Sequence, residues 1–169
     1  KASERSFDKI QSKQIFVDAG IPTPRYEVLR AGGRRTLPIP VVAKPARQGS
    51  SIGVHRVFAE ADWAGALADA ATFDPNVVVE EFISGRELTV GIVNGQALPV
   101  IEIRAPDGWY DYRAKYTKGQ TEYLVPAPID EVASRLCQKL ATQTFQALGC
   151  RGFARVDIRM TESGEAYVL

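Results

Sequence analysis

Hydrophobic and polar positions along the chain recur at spacings that predict a mixture of helices and strands. Good helix formers fill residues 6–19 and end at Gly20, with two prolines just beyond, which predicts a helix. Apolar residues recur at helical spacing in 60–71 and again in 132–148, after the potential cap Asp130. These three segments are the predicted helices.

Short apolar runs between turn signals predict the strands. They lie at residues 26–29, 39–43, 77–82, 86–93, 98–103, 153–160 and 166–169. Polar and apolar residues alternate in 86–93, which predicts that this strand forms a hairpin with 77–82. The pair Asn94-Gly95 predicts a further hairpin. Hairpins mixed with helices are typical of α+β folds, in which helices pack against antiparallel sheets. We therefore expect an α+β protein with a soft domain boundary near residue 95.

Composition limits the possible functions of the 169 residues. With 45% hydrophobic and 24% charged residues, the chain is predicted to form one or two small soluble domains. The basic residues nearly equal the acidic ones, which gives a net charge of +1. So small a charge does not favour binding of a long polyanion, and nucleic acid is not expected as a partner. No apolar run approaches the roughly 20 residues of a membrane span. We expect a cytoplasmic protein without membrane contact.

Metal chemistry is limited by the small number of cysteine and histidine residues. Cys137 and Cys150 do not form a C-x-x-C pair, and two ordinary buried thiols are expected. His55 is the single histidine and cannot by itself build a zinc site. Any metal must therefore use oxygen ligands.

A loop of small residues, Gly49–Gly53, lies between two apolar strands and is the first candidate for chemistry. Its glycines let backbone N–H groups approach an anion, and the hydroxyls of Ser50 and Ser51 can donate to phosphate oxygens. It lacks both the Gly-Lys-Ser/Thr ending of a Walker A loop and the G-x-G-x-x-G dinucleotide turn. The loop is therefore either a triphosphate cradle or a flexible surface turn.

Three lysines occur in contexts that suit an anion. Lys44 ends an otherwise apolar strand, where an ammonium group is costly to bury without an anionic partner such as phosphate. An exposed strand end is the alternative. Lys9 stands at a helix start, where a structural role would favour an acid, and Lys115 lies between two tyrosines.

Charged residues on two strands are the remaining candidates. Glu80 and Glu81 end a strand, and Glu87 follows six residues after Glu81. Carboxylates and backbone groups at a strand end can bind an adenine amino group and ribose hydroxyls. The alternative is that these carboxylates are ordinary surface charges. Arg155 and Asp157 alternate with apolar residues, so both point to one face of their strand. They form either a plain salt bridge, or an arginine that neutralises an oxyanion beside a carboxylate that holds a divalent cation.

Taken in order, these segments resemble the ATP-grasp ligases, and most closely the D-alanine:D-alanine ligases. The matching stretches are Asp8-Lys9, Gly20 to Pro24, Lys44-Pro45, Gly49 to Gly53, Val79 to Ile83, Gly85 to Val90, Tyr110 to Tyr112, Lys115-Tyr116, Pro126-Ala127 and Gly152 to Asp157. Lys-Pro and the Glu-rich strand end occur throughout ATP-grasp enzymes, whereas Gly-Ser-Ser-x-Gly with Tyr-Asp-Tyr-x-x-Lys-Tyr points more narrowly to the D-alanine ligases. The resemblance implies an ATP-grasp fold, in which two α+β subdomains with antiparallel sheets clasp ATP. Residues 1–95 would form the small subdomain and 96–169 the start of the larger one, incomplete at its C-terminus.

The resemblance also implies which residues bind the triphosphate. The ATP phosphates would be contacted by Lys9, Lys44 and Lys115. Ser50 and Ser51 would belong to the flexible loop that closes over the triphosphate, with Ser51 nearest the phosphate. Tyr116 would hydrogen-bond to Ser50 as the loop beside the active site closes.

Other residues would bind the nucleoside and act on the reacting groups. Adenine would be framed by Glu80, Glu81 and Ile83, the latter two largely through backbone groups. Glu87 would take the ribose hydroxyls, Arg155 would stabilise the tetrahedral intermediate, and Asp157 would bind Mg²⁺ or Mn²⁺.

The implied activity is the ATP-dependent ligation of two D-alanines through an acyl phosphate, for peptidoglycan precursor synthesis. Another ATP-grasp carboxylate-amine ligase and a non-catalytic ATP-binding domain are the alternatives. The family has an N-terminal domain that helps bind the first D-alanine, and its members continue past Tyr-x-Leu into a Glu-x-Asn segment with further metal ligands. We therefore expect this chain to be the central part of a ligase that is a homodimer at full length, and to be inactive alone.

Overall fold

The computed structural model describes residues 1–105, 117 and 121–169, which form two antiparallel sheets with helices packed against them. The helices are α1 (Ala2–Phe7), α2 (Lys9–Asp18), α3 (Glu60–Phe73) and α4 (Glu131–Ala147). The strands are β1 (Tyr26–Leu29), β2 (Val41–Pro45), β3 (His55–Val57), β4 (Val77–Glu81), β5 (Arg86–Val93), β6 (Gln96–Ala97), β7 (Ile101–Arg104), β8 (Glu122–Leu124), β9 (Phe153–Met160) and β10 (Ala166–Val168). The α+β class predicted from the sequence is confirmed.

The first sheet has the strand order β1-β4-β2-β3, with every neighbouring pair antiparallel. Its two central strands are almost entirely buried, which explains why their sequences read as continuous apolar runs rather than as alternating ones. Helix α3 covers this sheet with Ala66, Leu67 and Ala70, which recur at helical spacing. Lys44 of β2 and Glu80 of β4 lie two residue pairs apart in this ladder and point to the opposite face of the sheet from α3.

The second sheet has the order β10-β9-β5-β7-β8, and β6 adds to β5. Its central pair, β5 and β9, runs in register from Arg86 opposite Met160 to Val93 opposite Phe153. Helix α4 covers this sheet with a buried face of Cys137, Leu140, Ala141, Thr144 and Phe145. Val132, which the sequence pattern placed on the apolar face, is instead 80% exposed. The cap predicted at Asp130 is confirmed, since its side chain accepts the backbone N–H of Ala133.

The N-terminal segment forms two helices instead of the one helix predicted over 6–19. Asp8 leaves the helical conformation at φ −89° and ψ 103°, and its carboxylate accepts the backbone N–H groups of Ile10 and Gln11. This cap starts α2 one residue later. Lys9 is therefore the first residue of α2, which agrees with its predicted place at a helix start.

The hairpin predicted between 77–82 and 86–93 is wrong. Strand β4 pairs with β1 and β2 in the first sheet, whereas β5 pairs with β9 and β7 in the second. The chain crosses between the sheets from Glu81 to Arg86, and Gly85 is needed there. It has φ +130°, and an added Cβ would lie 2.0 Å from the carbonyl oxygen of Met160. The subdomain boundary near residue 95 stays a prediction.

The hairpin predicted at Asn94-Gly95 is confirmed, with Val93 opposite Gln96. The strand expected over 98–103 is interrupted and resumes as β7 only at Ile101. Proline has no N–H to donate to a strand ladder, and Pro99 lies in the gap. Among the described helices, none has the length and apolar character that a membrane span requires.

Candidate functional site

A cleft of about 420 Å³ lies between the face of the first sheet that carries Lys44 and Glu80 and strands β5 and β9 of the second. Its lining includes eight of the residues predicted for the site: Lys9, Lys44, Ser50, Ser51, Glu80, Glu87, Arg155 and Asp157. Glu81 and Ile83 are not part of that lining. Lys115 and Tyr116 lie outside the described residues. Residues far apart in the sequence therefore meet in one place.

At the first-sheet side of the cleft, a buried carboxylate lies between two ammonium groups. Glu80 of β4 is 2% exposed, and its two oxygens lie 2.7 Å from Lys44 Nζ and 3.2 Å from Lys13 Nζ. Burial raises the pKa of Glu80, but the two lysines outweigh that effect and hold the pKa at about 2. Glu80 is therefore ionised at neutral pH and orients Lys44, which is its neighbour on β2.

Lys13 is a site residue that the sequence pattern did not single out. Its side chain is 2% exposed, and besides Glu80 it donates to Thr23 Oγ1 at 2.5 Å. The Thr23 hydroxyl in turn donates to the carbonyl of Val168 in β10, so Lys13 connects the first sheet to the second. Lys13 follows Lys9 by one helical turn on α2, and that i, i+4 spacing was the available signal. Burial, with a further contribution from Lys44, lowers the pKa of Lys13 to about 8.

Lys9 fixes the start of the glycine loop. Its ammonium group donates to the carbonyls of Pro45, at 3.0 Å, and Gln48, at 2.6 Å. Burial and the neighbouring charge of Lys44 lower the pKa of Lys9 to about 8. Lys9, Lys13 and Lys44 thus bring three ammonium groups close to the carboxylate of Glu80, and Asp8 and Asp74 also act on Lys9. Of these groups, the pocket lining contains the three lysines and Glu80, so cations outnumber carboxylates on this side of the cleft.

Gly49, Ser50 and Ser51 of the loop Gly49–Gly53 line the cleft, and the loop has an unusual backbone. Ser50 and Ser51 have φ +52° and +59°, in the left-handed region that non-glycine residues rarely adopt. Gly53 also has a positive φ, and an added Cβ would lie 2.5 Å from the ring of Phe73. Strained conformations of this kind cost on the order of 1–3 kcal/mol and concentrate at functional sites. This geometry supports the cradle interpretation over that of an unconstrained surface turn.

On the facing strand β9, Arg155 and Asp157 form the salt bridge that the sequence left as one alternative. Arg155 donates to both carboxylate oxygens, Nε at 2.9 Å and a terminal nitrogen at 3.0 Å. Thr89 of β5, directly opposite in the sheet, also donates to Asp157 at 2.8 Å. The pair lines the cleft, so the salt bridge and a role toward a ligand are compatible.

A second ion pair lies further along the same two strands. Glu87 of β5 and Arg159 of β9 are direct cross-strand partners, and their charged groups approach to 3.2 Å. Arg159 also donates to the carbonyl of Gly85 at 3.0 Å. Arg159 was not among the predicted site residues, although it continues the alternation of Arg155 and Asp157 along the strand.

Glu81 lies at the end of β4 with its side chain turned to Arg25, at 2.8 Å. Its backbone N–H donates to the carbonyl of Arg25. Any contact of Glu81 and Ile83 with a ligand in the cleft stays a prediction.

The described residues contain no group of three side chains placed to hold a metal ion. Asp157 nevertheless fits as a single carboxylate ligand, because it lines the cleft and presents oxygen donors. Mg²⁺ is commonly held by one or two carboxylates together with substrate phosphates and water rather than by an all-protein cage. The donor set therefore fits Mg²⁺ bound jointly with a phosphate substrate.

Residues 15–169 match the family model described as D-ala D-ala ligase C-terminus. A D-alanine–D-alanine ligase from Syntrophotalea carbinolica is 46% identical over 166 residues, which are 96% of this chain and 54% of that protein. One from Methylacidiphilum infernorum is 44% identical over 168 residues, 99% of this chain and 55% of that protein.

Two solved structures have the same fold. A D-Ala:D-Ser ligase from Enterococcus faecalis matches with a TM-score of 0.85 at 31% identity, covering 99% of this chain and 52% of that one. A D-alanine–D-alanine ligase from Bacillus anthracis matches with a TM-score of 0.84 at 32% identity, covering 99% of this chain and 57% of that one. The expected ATP-grasp fold is confirmed. The chain spans about half the length of the relatives it matches.

Proposed function

The chain belongs to the D-Ala D-Ala ligase C-terminus family, and on that premise we propose that it is the ATP-binding part of an enzyme that joins two D-alanines. The observation that carries the proposal is the cleft between the two sheets. There Lys9, Lys44 and the loop residues 49–51 line the same cleft of about 420 Å³ as Arg155 and Asp157. This combination of cations, a backbone cradle and one carboxylate suits a nucleoside triphosphate bound with Mg²⁺.

In the proposed reaction, a carboxylate oxygen of the first D-alanine attacks the γ-phosphorus of ATP. The bond from that phosphorus to the β,γ-bridging oxygen breaks, and ADP leaves. The amine of the second D-alanine then attacks the carbonyl carbon of the acyl phosphate, gives up a proton, and inorganic phosphate leaves. The products are D-alanyl-D-alanine, ADP and phosphate, and the dipeptide serves peptidoglycan precursor synthesis.

The protein's part in this chemistry is positioning and charge neutralisation, because phosphoryl transfer needs little covalent participation from side chains. Lys9 and Lys44 bind the phosphates, and Ser50 and Ser51 donate hydrogen bonds from the loop above them. Lys115 as a further phosphate ligand and Tyr116 as the partner of Ser50 are proposed on the family resemblance alone.

The pair on β9 acts where the bonds change. Arg155 stabilises the tetrahedral oxyanion, and Asp157 holds Mg²⁺ or Mn²⁺. When bound, the divalent ion neutralises phosphate charge. Thr89 keeps Asp157 in place when the Arg155 guanidinium turns toward substrate, since its hydrogen bond to Asp157 is independent of Arg155.

The nucleoside binds beside the phosphates in the same cleft. Glu87 takes the ribose hydroxyls, and adenine lies against the end of β4, near Glu80, Glu81 and Ile83. Since both oxygens of Glu80 lie against lysines, we assign Glu80 the further task of orienting Lys44 toward the phosphates. The cytoplasmic location and the homodimer stay predictions.

The binding part of the proposal is tested by replacing Lys44 with methionine in the full-length protein. Losing a charge-assisted contact to phosphate costs about 1.5–3 kcal/mol, roughly a ten- to hundredfold loss of ATP affinity by calorimetric titration. Lys139→Met, at an exposed position on α4 outside the cleft lining, is the matched control. Unchanged ATP affinity in a folded Lys44→Met variant would remove Lys44 from the site.

The catalytic part is tested by product analysis. The full-length protein should release ADP and form the dipeptide from ATP, Mg²⁺ and D-alanine, as followed by mass spectrometry. D-serine is the acceptor to compare, because the E. faecalis structure with the same fold is a D-Ala:D-Ser ligase. Preference for D-serine would identify a different acceptor, and ATP binding without ADP release would identify a non-catalytic domain.

A further inference from the structure

Arg159 lies in the cleft although no role in the reaction has been given to it. Residues two apart on a strand share a face, so Arg155, Asp157 and Arg159 all line the cleft. The side chain of Arg159 is only 8% exposed. An arginine is rarely buried to this extent without a partner.

Its partner is the carboxylate of Glu87. The two residues are directly opposite in the β5–β9 ladder, with 3.2 Å between a guanidinium nitrogen and the Glu87 carboxylate. A second guanidinium nitrogen donates to the carbonyl of Gly85 at 3.0 Å. The planar guanidinium is therefore held at two points, and its orientation toward Glu87 is restricted.

The contact with Arg159 helps to hold Glu87 in position. The Glu87 side chain is 15% exposed, so its charge is largely removed from water and is stabilised by a neighbouring cation. Replacing Arg159 by a neutral residue removes the cation directly opposite the carboxylate and weakens its hold toward the cleft. A carboxylate that turns away no longer presents its oxygens to hydroxyl groups in the cleft.

We propose that Arg159 is a positioning residue that sets the discrimination between ribose and deoxyribose in the bound nucleotide, by holding the Glu87 carboxylate toward the sugar. The inference rests on the proposed function, in which Glu87 accepts the ribose hydroxyls. Arg159 acts through Glu87 and does not itself contact the sugar.

The test compares the affinities of ATP and 2′-deoxy-ATP in the full-length protein by calorimetric titration. The unaltered protein is expected to prefer ATP by about tenfold, the loss that follows from removing a hydrogen bond to a charged acceptor. Glu87→Gln and Arg159→Gln should each reduce that preference to near one. The double variant should reduce it no further, because both changes remove the same contact. Arg30→Gln, at an exposed position outside the cleft lining, should keep the full preference.

The ratio of two affinities is independent of the fraction of molecules that is folded, so partial destabilisation of a variant does not obscure the result. Arg159→Lys keeps the charge but not the planar fork, and an intermediate ratio is expected. If Glu87→Gln loses the preference for ATP over 2′-deoxy-ATP but Arg159→Gln keeps it, the role of Arg159 is overturned. The proposed function would still stand. Absence of ATP binding by the unaltered protein would overturn both.

Discussion

Replacing Glu80 with glutamine should destabilise the protein far more than replacing Lys13 with methionine, although both side chains are equally buried. Glu80 is the one carboxylate between Lys13 and Lys44, at 3.2 and 2.7 Å. Glu80→Gln leaves two buried ammonium groups facing each other without an anion. Lys13→Met leaves a balanced pair of Lys44 and Glu80.

The pKa values give the direction of the difference. Glu80 has a pKa of about 2 against an ordinary 4.5, so its charged form is favoured in the folded state. Lys13 has a pKa of about 8 against an ordinary 10.5, so its charged form is disfavoured there. We expect Glu80→Gln to cost about 3–5 kcal/mol, as when one partner of a buried ion pair is removed. Lys13→Met should cost on the order of 1 kcal/mol, because it also removes an unfavourable buried charge.

The assay is urea unfolding of both variants at pH 7 and then at lower pH. The stabilisation from Glu80 is complete above its unfolded-state pKa of about 4.5 and is lost as the pH falls toward 2. The gap in unfolding free energy between the unaltered protein and Glu80→Gln should therefore narrow over that range. Glu162→Gln, at an exposed turn position, is the control. Equal destabilisation by the two core variants, or a gap that does not change with pH, would refute the reasoning.

Three further outcomes are expected. Because Lys9 has a pKa of about 8 in the cleft and a bound phosphate would raise it, ATP binding near pH 8–9 should take up protons. Binding enthalpies that are equal in buffers of different ionisation enthalpy would contradict this. Gly85→Ala should lower the unfolding free energy by about 1–3 kcal/mol, since its Cβ would meet the Met160 carbonyl, and an unchanged urea midpoint would disprove it. The 169-residue chain incubated alone with ATP, Mg²⁺ and D-alanine should form no dipeptide, because it spans about half of its relatives, and sustained turnover by mass spectrometry would show otherwise.

Local signals in the sequence determined most of the elements and the composition of the site. The hairpin at Asn94-Gly95 and the cap at Asp130 depend on residues a few positions apart, so their chemistry is readable without the fold. The phosphate-binding candidates were recognisable for a related reason. A glycine-rich loop and a lysine ending the apolar strand before it are unfavourable choices for structure alone, and their motif is shared with a family.

Only the tertiary structure decided which strands pair and which charges meet. Alternation in Arg86–Val93 indicates a strand, but it does not say whether the partner is β4, 5 residues before it, or β9, 60 residues after it. The contacts of Glu80 with Lys13 and of Glu87 with Arg159 likewise cannot be read from the local sequence. Each contact joins elements that are distant in the chain, and its energy depends on burial that arises only when both sheets have packed. Charge pairs of that kind leave no periodic signal in the sequence, because neither partner is constrained by its own neighbours.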